Sequence, residues 1–391
     1  MTGVSHECQE GVFRATTSGA RIPELDGLRG LAILLVIVCH YVASAEYGTT
    51  NFWLGHFLRA LSVGWSGVDL FFVLSGFLIG GILIDSSSSP AYFRTFYLRR
   101  VYRILPIYYG WIFLYAVIVA VGVYVLPAGE LPVAKKDLAV VPTYLLFLQN
   151  MIYSPSPFEW RWFVVTWSLA VEEQFYIFAP PLIRFLSPKR LVYVLGAVIC
   201  IAPILRYLAF RYLRDLYYLP QYAMPCRADA LALGILAAVA WRWPAFRAHL
   251  ENNPGLLQRT VSYMLVLLAM LMLWLARPNG IVTFSIGYTA LAVFYTSLML
   301  LAISQRQGVI ARMMRARWLR YLGGISYCVY LIHLTMNEWA HRILLGRAPR
   351  ISDLKGISVT LLAGLLTWFI ASLSWKYFEK PLIEKGHRYS Y

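Results

Sequence analysis

The sequence predicts an all-α, polytopic integral membrane protein, with about ten transmembrane helices around a central polar cavity. Three observations carry this. Of the 391 residues, 59 % are hydrophobic and 14 % charged, where a soluble domain carries about a quarter charged. The mean hydropathy is +0.60. Apolar windows recur along the chain near the ~20 residues that span ~30 Å of hydrocarbon. Such a chain has too little polar surface to cover itself in water, a demand that lipid removes. The windows follow one another too closely to leave room for a separate soluble domain.

The first window runs from Leu28 to Ala45. Met1 to Ala20 is polar, with no continuous apolar run before Leu31, so this window reads as a retained helix and not a cleaved signal peptide. The second is Gly64 to Ile84, closed by the run Ser86–Ser89. The third is Ile104 to Leu126, entered through Pro106. A long loop follows, Pro127 to Val165, broken by Val140–Leu148, a piece too short to span and expected to be re-entrant or interfacial. The fourth window is Trp167 to Leu186, the fifth Leu191 to Phe210, and the sixth Ala228 to Trp243, flanked by Arg227 and Arg242. The seventh is Val261 to Ala276, the eighth Thr283 to Ile303, the ninth Leu322 to Leu345 and the tenth Gly356 to Phe378.

Ten crossings put both termini on one side. With the N-terminus in the cytoplasm, most of the 35 lysines and arginines fall inside, the expected sign of bias. The net charge of +16 is therefore read as anchoring against anionic lipid and not as nucleic-acid binding. The five cysteines are scattered without a CxxC pair, so no metal site or disulfide framework is expected; Cys39, Cys200 and Cys328 read as packing residues.

Charged and polar residues inside these windows are costly in lipid and mark candidate function. Arg29 and His40 are eleven residues apart, three turns plus ~20°, so they leave one helix face ~16 Å apart along the axis. Asp26, three residues before Arg29, is placed to pair with it. A rim arginine with a satisfied histidine explains this pair as well as a reaction face does. The second window holds Asp69 and Ser75, and the fourth opens with Glu172 and Glu173. Adjacent residues point ~100° apart, so at most one of these two carboxylates faces a central cavity. Ser326, Tyr330, His333, Asn337 and His341 form one polar stripe on the ninth helix, either interhelical hydrogen bonding or a pore lining. Arg99, Arg100 and Arg103 stand at the entrance of the third helix, as topological anchors or as guanidinium forks for phosphate.

Seven blocks in order then resemble one family. They are Ile22-Pro-Glu-Leu-Asp-Gly-Leu-Arg-Gly-Leu-Ala-Ile, Gly67-Val-Asp-Leu-Phe-Phe-Val-Leu-Ser-Gly-Phe-Leu-Ile, Tyr97-Leu-Arg-Arg-Val-Tyr-Arg-Ile-Leu-Pro, Trp167-Ser-Leu-Ala-Val-Glu-Glu-Gln-Phe-Tyr, Arg227-Ala-Asp-Ala-Leu-Ala-Leu-Gly, Ile325-Ser-Tyr-Cys-Val-Tyr-Leu-Ile-His and Phe378-Glu-Lys-Pro-Leu. Together they resemble the membrane-bound acyltransferase 3 family.

The resemblance implies a bacterial inner-membrane enzyme that moves an acyl group, commonly acetyl, from cytoplasmic acyl-CoA to a carbohydrate or other hydroxyl-bearing acceptor, with no metal. It implies a cytoplasmic tail 1–20, a transmembrane domain 21–384 and a cytoplasmic tail 385–391. Some members carry an appended esterase-like domain, and none is expected after Tyr391. The family's first-helix arginine and histidine map onto Arg29 and His40, and its arginine pair onto Arg100 and Arg103. On this mapping His40 is the general base, or alternatively the site of an acyl-histidine, with Glu172 or Glu173 orienting it. Arg29, Arg100 and Arg103 hold the acyl-CoA. Asp26, Asp69, Ser75, Asp229, Tyr330 and His333 line or support the cavity, with Phe71, Phe72 and Tyr176 as aromatic walls. Trp160, Arg161 and Trp162 in the external loop are a platform for a sugar, or interface anchors. The competing class is a transporter or flippase of a lipid-linked or small polar solute, to which intramembrane charges are equally natural.

Overall fold

The computed structural model describes residues 22–42, 52–126, 133–151, 157–213, 216, 218–270 and 280–391. The tail 1–20, the end of the first window beyond 42, residues 271–276 of the seventh, parts of the loop 127–165 and the side chain of Trp160 lie outside the described residues.

Among the described residues all regular structure is helical. The helices that position the site are α1 (Pro23–Val42), α2 (Gly67–Asp85), α3 (Tyr92–Tyr124), α4 (Trp167–Phe185), α5 (Pro188–Tyr212), α6 (Met224–Trp241), α7 (Pro254–Met270), α8 (Tyr288–Ser304), α9 (Arg317–Leu345) and α10 (Leu354–Ser374). Among the described residues, seven stretches are long and apolar enough to cross a membrane: Pro23–Val42, Gly55–Asp85, Tyr92–Tyr124, Pro188–Tyr212, Leu219–Trp241, Ser285–Ser304 and Leu354–His387. Helices α4, α7 and α9 are not among them. The first carries Glu172, Glu173 and Arg184, the last carries the polar stripe, and α7 has only 17 described residues. Side chains that belong in a polar site lower the mean hydropathy of the helix that bears them.

Several helices begin earlier than their apolar windows, and two of these shifts bear on the site. Helix α3 begins at Tyr92, not Ile104, and runs for 33 residues, so Arg99, Arg100 and Arg103 project from the helix itself and Pro106 lies inside it. The polar run 92–103 hides this extension from any hydropathy window. Helix α6 begins at Met224, which makes Arg227 an interior residue, 2 % exposed, and not a flanking anchor. The piece 140–148 holds one short helix, Val141–Leu145, just after another, Lys136–Ala139, and is tied to α3 by the Tyr108 hydroxyl donating to the Tyr144 carbonyl at 3.1 Å. Cys39 and Cys328 are buried as expected, whereas Cys200 is exposed on the outer face of α5.

Glycines let the helix backbones touch. A Cβ on Gly30 of α1 would stand 2.0 Å from the Leu319 carbonyl oxygen of α9, and one on Gly323 of α9 would stand 2.0 Å from that of Asp26. On α2 and α6, Gly76 and Gly234 face the partner backbone in the same reciprocal way, at 2.1 Å from Leu231 O and 2.3 Å from Val73 O. Hydrogen is the only substituent that fits, and close backbone approach is what holds helices together in lipid. Two buried ion pairs lock the second contact to its neighbours. Arg227 of α6 donates to Asp69 Oδ1 of α2 at 2.7 Å and lies 3.8 Å over the Tyr288 ring of α8. Arg206 of α5 pairs with Asp229 Oδ2 of α6 at 2.9 Å, both fully sequestered, and Thr289 of α8 donates to the same oxygen at 2.6 Å.

Candidate functional site

A cavity of about 1450 Å³ opens between α1, α2, α3, α4 and α9. Its wall includes Asp26 and Arg29 of α1, Ser75 of α2, Arg100 and Arg103 of α3, Glu172 and Tyr176 of α4, and Tyr330 of α9. Seven of these eight were singled out from sequence as catalytic, binding or support positions, and Tyr176 as an aromatic wall. Helix α3 brings Arg100 and Arg103 to the same wall because they are three residues apart on one face.

The three arginines are the unusual feature. Arg29, Arg100 and Arg103 make no hydrogen bond or ion pair among the described residues. Arg100 stacks instead over Phe96 and Tyr176, 5.9 and 5.6 Å from the ring centroids, and its Nε is buried without a partner. Arg99, the remaining member of the run, is not available in this way: its Nε and Nη2 donate to the Tyr389 carbonyl at 2.9 and 2.7 Å. Three guanidinium groups converging on one space, none bonded to a carboxylate among the described residues and outnumbering Asp26 and Glu172 of the same wall, make a site for an anion with several oxygens. Among the described residues no cluster of three His, Cys, Asp or Glu side chains could hold a metal ion.

Beyond Tyr330 lies a histidine pair. His40 Nδ1 is 2.7 Å from His333 Nε2, and the rings stack with centroids 5.0 Å apart at 17°. His333 is fully buried while His40 keeps part of its surface. Neither is in the wall of the cavity, which ends at Tyr330 and Leu331, one turn before His333. The Tyr330 hydroxyl is fixed there, donating to the Val165 carbonyl at 2.9 Å and 2.7 Å from Ser168 Oγ.

The sequence profile of the family described as "Acyltransferase domain", acyltransferase 3, matches residues 22–376. The chain belongs to the acyltransferase 3 family. It is 28 % identical over 399 residues to the provisionally named peptidoglycan O-acetyltransferase YrhL of Bacillus subtilis, 24 % over 383 residues to the O-acetyltransferase OatA of Staphylococcus aureus NCTC 8325, and 24 % over 382 residues to a provisionally named O-acetyltransferase of strain COL. These alignments cover 96, 94 and 93 % of this chain. The chain spans only 57 to 58 % of the length of these relatives. No solved structure matches it.

For an acyltransferase 3 chain the arrangement departs from the expected triad. Neither Glu172 nor Glu173 bonds to His40; among the described residues its partner is His333. The reason is packing: α1 lies on α9, whereas α4 lies on α2 and α6. Glu172 faces the cavity and accepts from Ser75 Oγ at 2.8 Å and from the Tyr176 hydroxyl at 3.3 Å. Glu173 turns away, outside the cavity wall, with Oε1 buried and unbonded. Asp69 and Asp229 are not cavity residues either, since both are engaged by Arg227 and Arg206. Those two arginines went unrecognised in the sequence: each pairs with an aspartate on another helix, Arg227 with Asp69 and Arg206 with Asp229, so no local spacing marks them. The stripe on α9 faces the interior: Ser326, His333, Asn337 and His341 are all buried. Trp162 is 2 % exposed and packs on Trp111 at 4.3 Å, so it offers no open platform for a sugar, and Arg161 is paired with Glu338.

Proposed function

We propose that this chain is a membrane O-acyltransferase that moves an acyl group, in the first place acetyl, from cytoplasmic acyl-CoA to a hydroxyl of a cell-envelope carbohydrate or related acceptor. The observation that carries the reading is the convergence of Arg29, Arg100 and Arg103 on one cavity, with no hydrogen bond or ion pair among the described residues. CoA presents phosphate oxygens at one end and a thioester at the other. The phosphates dock on the arginines at the cytoplasmic mouth, and the pantetheine arm carries the thioester past Tyr330 to His40. There the imidazole removes the proton of the acceptor hydroxyl. Glu172, held by Ser75 and Tyr176, stays beside the arginines as a counter-charge when the donor leaves. The peptidoglycan acceptor in the name of the Bacillus relative supports an envelope glycan as the acceptor class.

The same reading places α4, α7 and α9 in the bilayer with the seven apolar stretches, for ten crossings. Both termini then lie in the cytoplasm of a bacterial inner membrane, with the arginine mouth inside. Charged residues in α4 and α9 are tolerated because they face protein and cavity, not lipid.

The test is turnover by the full chain in lipid nanodiscs with labelled acetyl-CoA and an envelope glycan. His40→Ala should lose ~10²–10⁴-fold in transfer, the usual contribution of a general base, while its binding of acetyl-CoA persists. Wild-type transfer by His40→Ala would remove the base. Absence of turnover in the parent chain, with solute flux across proteoliposomes, would return the transporter reading.

A further inference from the structure

The hydrogen bonds around His333 determine which nitrogen of His40 carries a proton. His333 Nδ1 lies 2.8 Å from the carbonyl oxygen of Tyr330 and 3.1 Å from that of Val329. A carbonyl only accepts, and its second lone pair is available beside the helical hydrogen bond. His333 Nδ1 therefore carries the proton, and a neutral His333 has a bare Nε2. The 2.7 Å contact between that Nε2 and His40 Nδ1 needs one proton, and His40 must supply it. His40 is thus the Nδ1–H tautomer, with a free lone pair on Nε2. That nitrogen has no hydrogen-bond partner among the described residues and is not among the buried, unbonded atoms.

We infer that His333 is a positioning residue that holds His40 in the Nδ1–H tautomer, leaving Nε2 as the nitrogen that accepts the acceptor's proton. A buried carboxylate has this role in hydrolase triads. Here a second imidazole, anchored on its own helix backbone, replaces it. The inference rests on the reading of His40 as general base.

The supporting structure is built for this. His333 is 0 % exposed, so water does not compete for its Nε2. Its backbone is tied to the neighbouring helix by the Tyr41 hydroxyl, which donates to the His333 carbonyl at 3.3 Å. The Gly30 and Gly323 contacts bring α1 and α9 close enough for the two rings to meet.

In the reaction, His40 Nε2 takes the proton of the acceptor O–H as the acceptor oxygen bonds to the thioester carbonyl carbon. The tetrahedral adduct then expels the sulfur, and the C–S bond breaks. His40 returns the proton from Nε2 to the thiolate, giving CoA thiol and the O-acyl product with no net proton gained or lost. While His40 is an imidazolium, its Nδ1–H donates to a neutral acceptor, a charge-assisted hydrogen bond. His333 keeps its own Nδ1 proton on the backbone carbonyls throughout.

The experiment compares the full chain with His333→Leu, His333→Gln and His40→Ala in nanodiscs, measuring acetyl-CoA binding by titration, kcat and KM, and the histidine tautomers by ¹⁵N NMR. His333→Leu should lose ~10²–10⁴-fold in kcat, the span of general-base and wrong-tautomer effects, with KM for acetyl-CoA unchanged. His333→Gln, whose Oε1 can accept from His40 Nδ1, should recover at least tenfold of that loss. The parent should show His40 as Nδ1–H, and the leucine variant should show Nε2–H. Wild-type kcat in His333→Leu, or an Nε2–H tautomer in the parent, overturns the inference. So does joint loss of binding and turnover in both His333 variants, the mark of a merely structural residue. If His40→Ala is inactive while His333→Leu is fully active, only this inference falls. If His40→Ala is itself fully active, the base reading falls with it.

Discussion

Arg29, Arg100 and Arg103 bring three positive charges to one cavity, and like charges close together raise one another's energy unless an anion joins them. Helix α3 supplies two of these charges and α1 the third. Their convergence, with no bonded carboxylate among the described residues, separates a donor site from topological anchoring, which needs no convergence. Replacing both Arg100 and Arg103 by alanine should weaken acetyl-CoA binding ~10²–10⁴-fold, since hydrogen bonds to charged groups contribute ~1.5–3 kcal/mol each and ~1.4 kcal/mol is tenfold. Calorimetric titration in nanodiscs would show it, and unchanged affinity would leave these arginines as anchors alone. At this scale the sequence was partly legible. The spacing of Arg29 and His40 placed them on one helix face, and Arg100 and Arg103 likewise. The partner of His40 was not legible, because His333 is 293 positions away and a carboxylate is the commoner companion of a catalytic histidine.

Individual helices show why windows of hydropathy locate a crossing better than its ends. The polar residues 92–103 extend α3 by three turns beyond its apolar stretch, and nothing in their hydropathy says so. The same effect keeps α4 and α9 out of the set of apolar stretches, although α9 has 29 residues. Helix ends are held by local chemistry instead. Helix α9 stops at Gly346, whose φ of +64° suits glycine, and α10 starts at Asp353, whose Oδ1 accepts from the Gly356 amide at 2.6 Å. The Arg347 guanidinium bonded to Asp353, and then the Gly356 amide, hold its carboxyl below the usual value. A lowered value means that this contribution to stability is complete above the unfolded value near 4 and fades as pH falls through the lowered one. Asp353→Asn should therefore flatten the acid limb of thermal stability, followed by unfolding in detergent between pH 2 and 6. An unaltered limb would show that the cap does not matter to folding.

For the molecule as a whole, the buried pairs Arg206–Asp229 and Arg227–Asp69 join α2, α5 and α6, with Thr289 and Tyr288 adding α8. They make a neutral, rigid side to the bundle against which α4 and the cavity are set. Removing one partner leaves an uncompensated buried charge, at a cost of ~3–5 kcal/mol, whereas an apolar replacement of both is often neutral. Asp229→Leu should lower the unfolding midpoint strongly, and Arg206→Met with Asp229→Leu should restore most of it. Equal damage in the single and double variants would mean that the hydrogen bonds Arg206 donates to the Thr289 hydroxyl and to the Ser285 and Cys226 carbonyls matter more than charge.

The sequence by itself determined that the chain is helical and built for lipid, which family it belongs to, and which charged residues are out of place in a membrane. Composition, window length and short ordered motifs are local properties, and local properties survive in one dimension. Only the tertiary structure decided which of those residues meet. It brought Arg29, Arg100 and Arg103 to one cavity and set Asp69 and Asp229 against arginines. It turned Glu173 away and gave His40 a histidine in place of a carboxylate. Each of these outcomes depends on how helices distant in sequence pack and rotate against one another, and the glycine contacts of α1 with α9 and of α2 with α6 fix part of that packing.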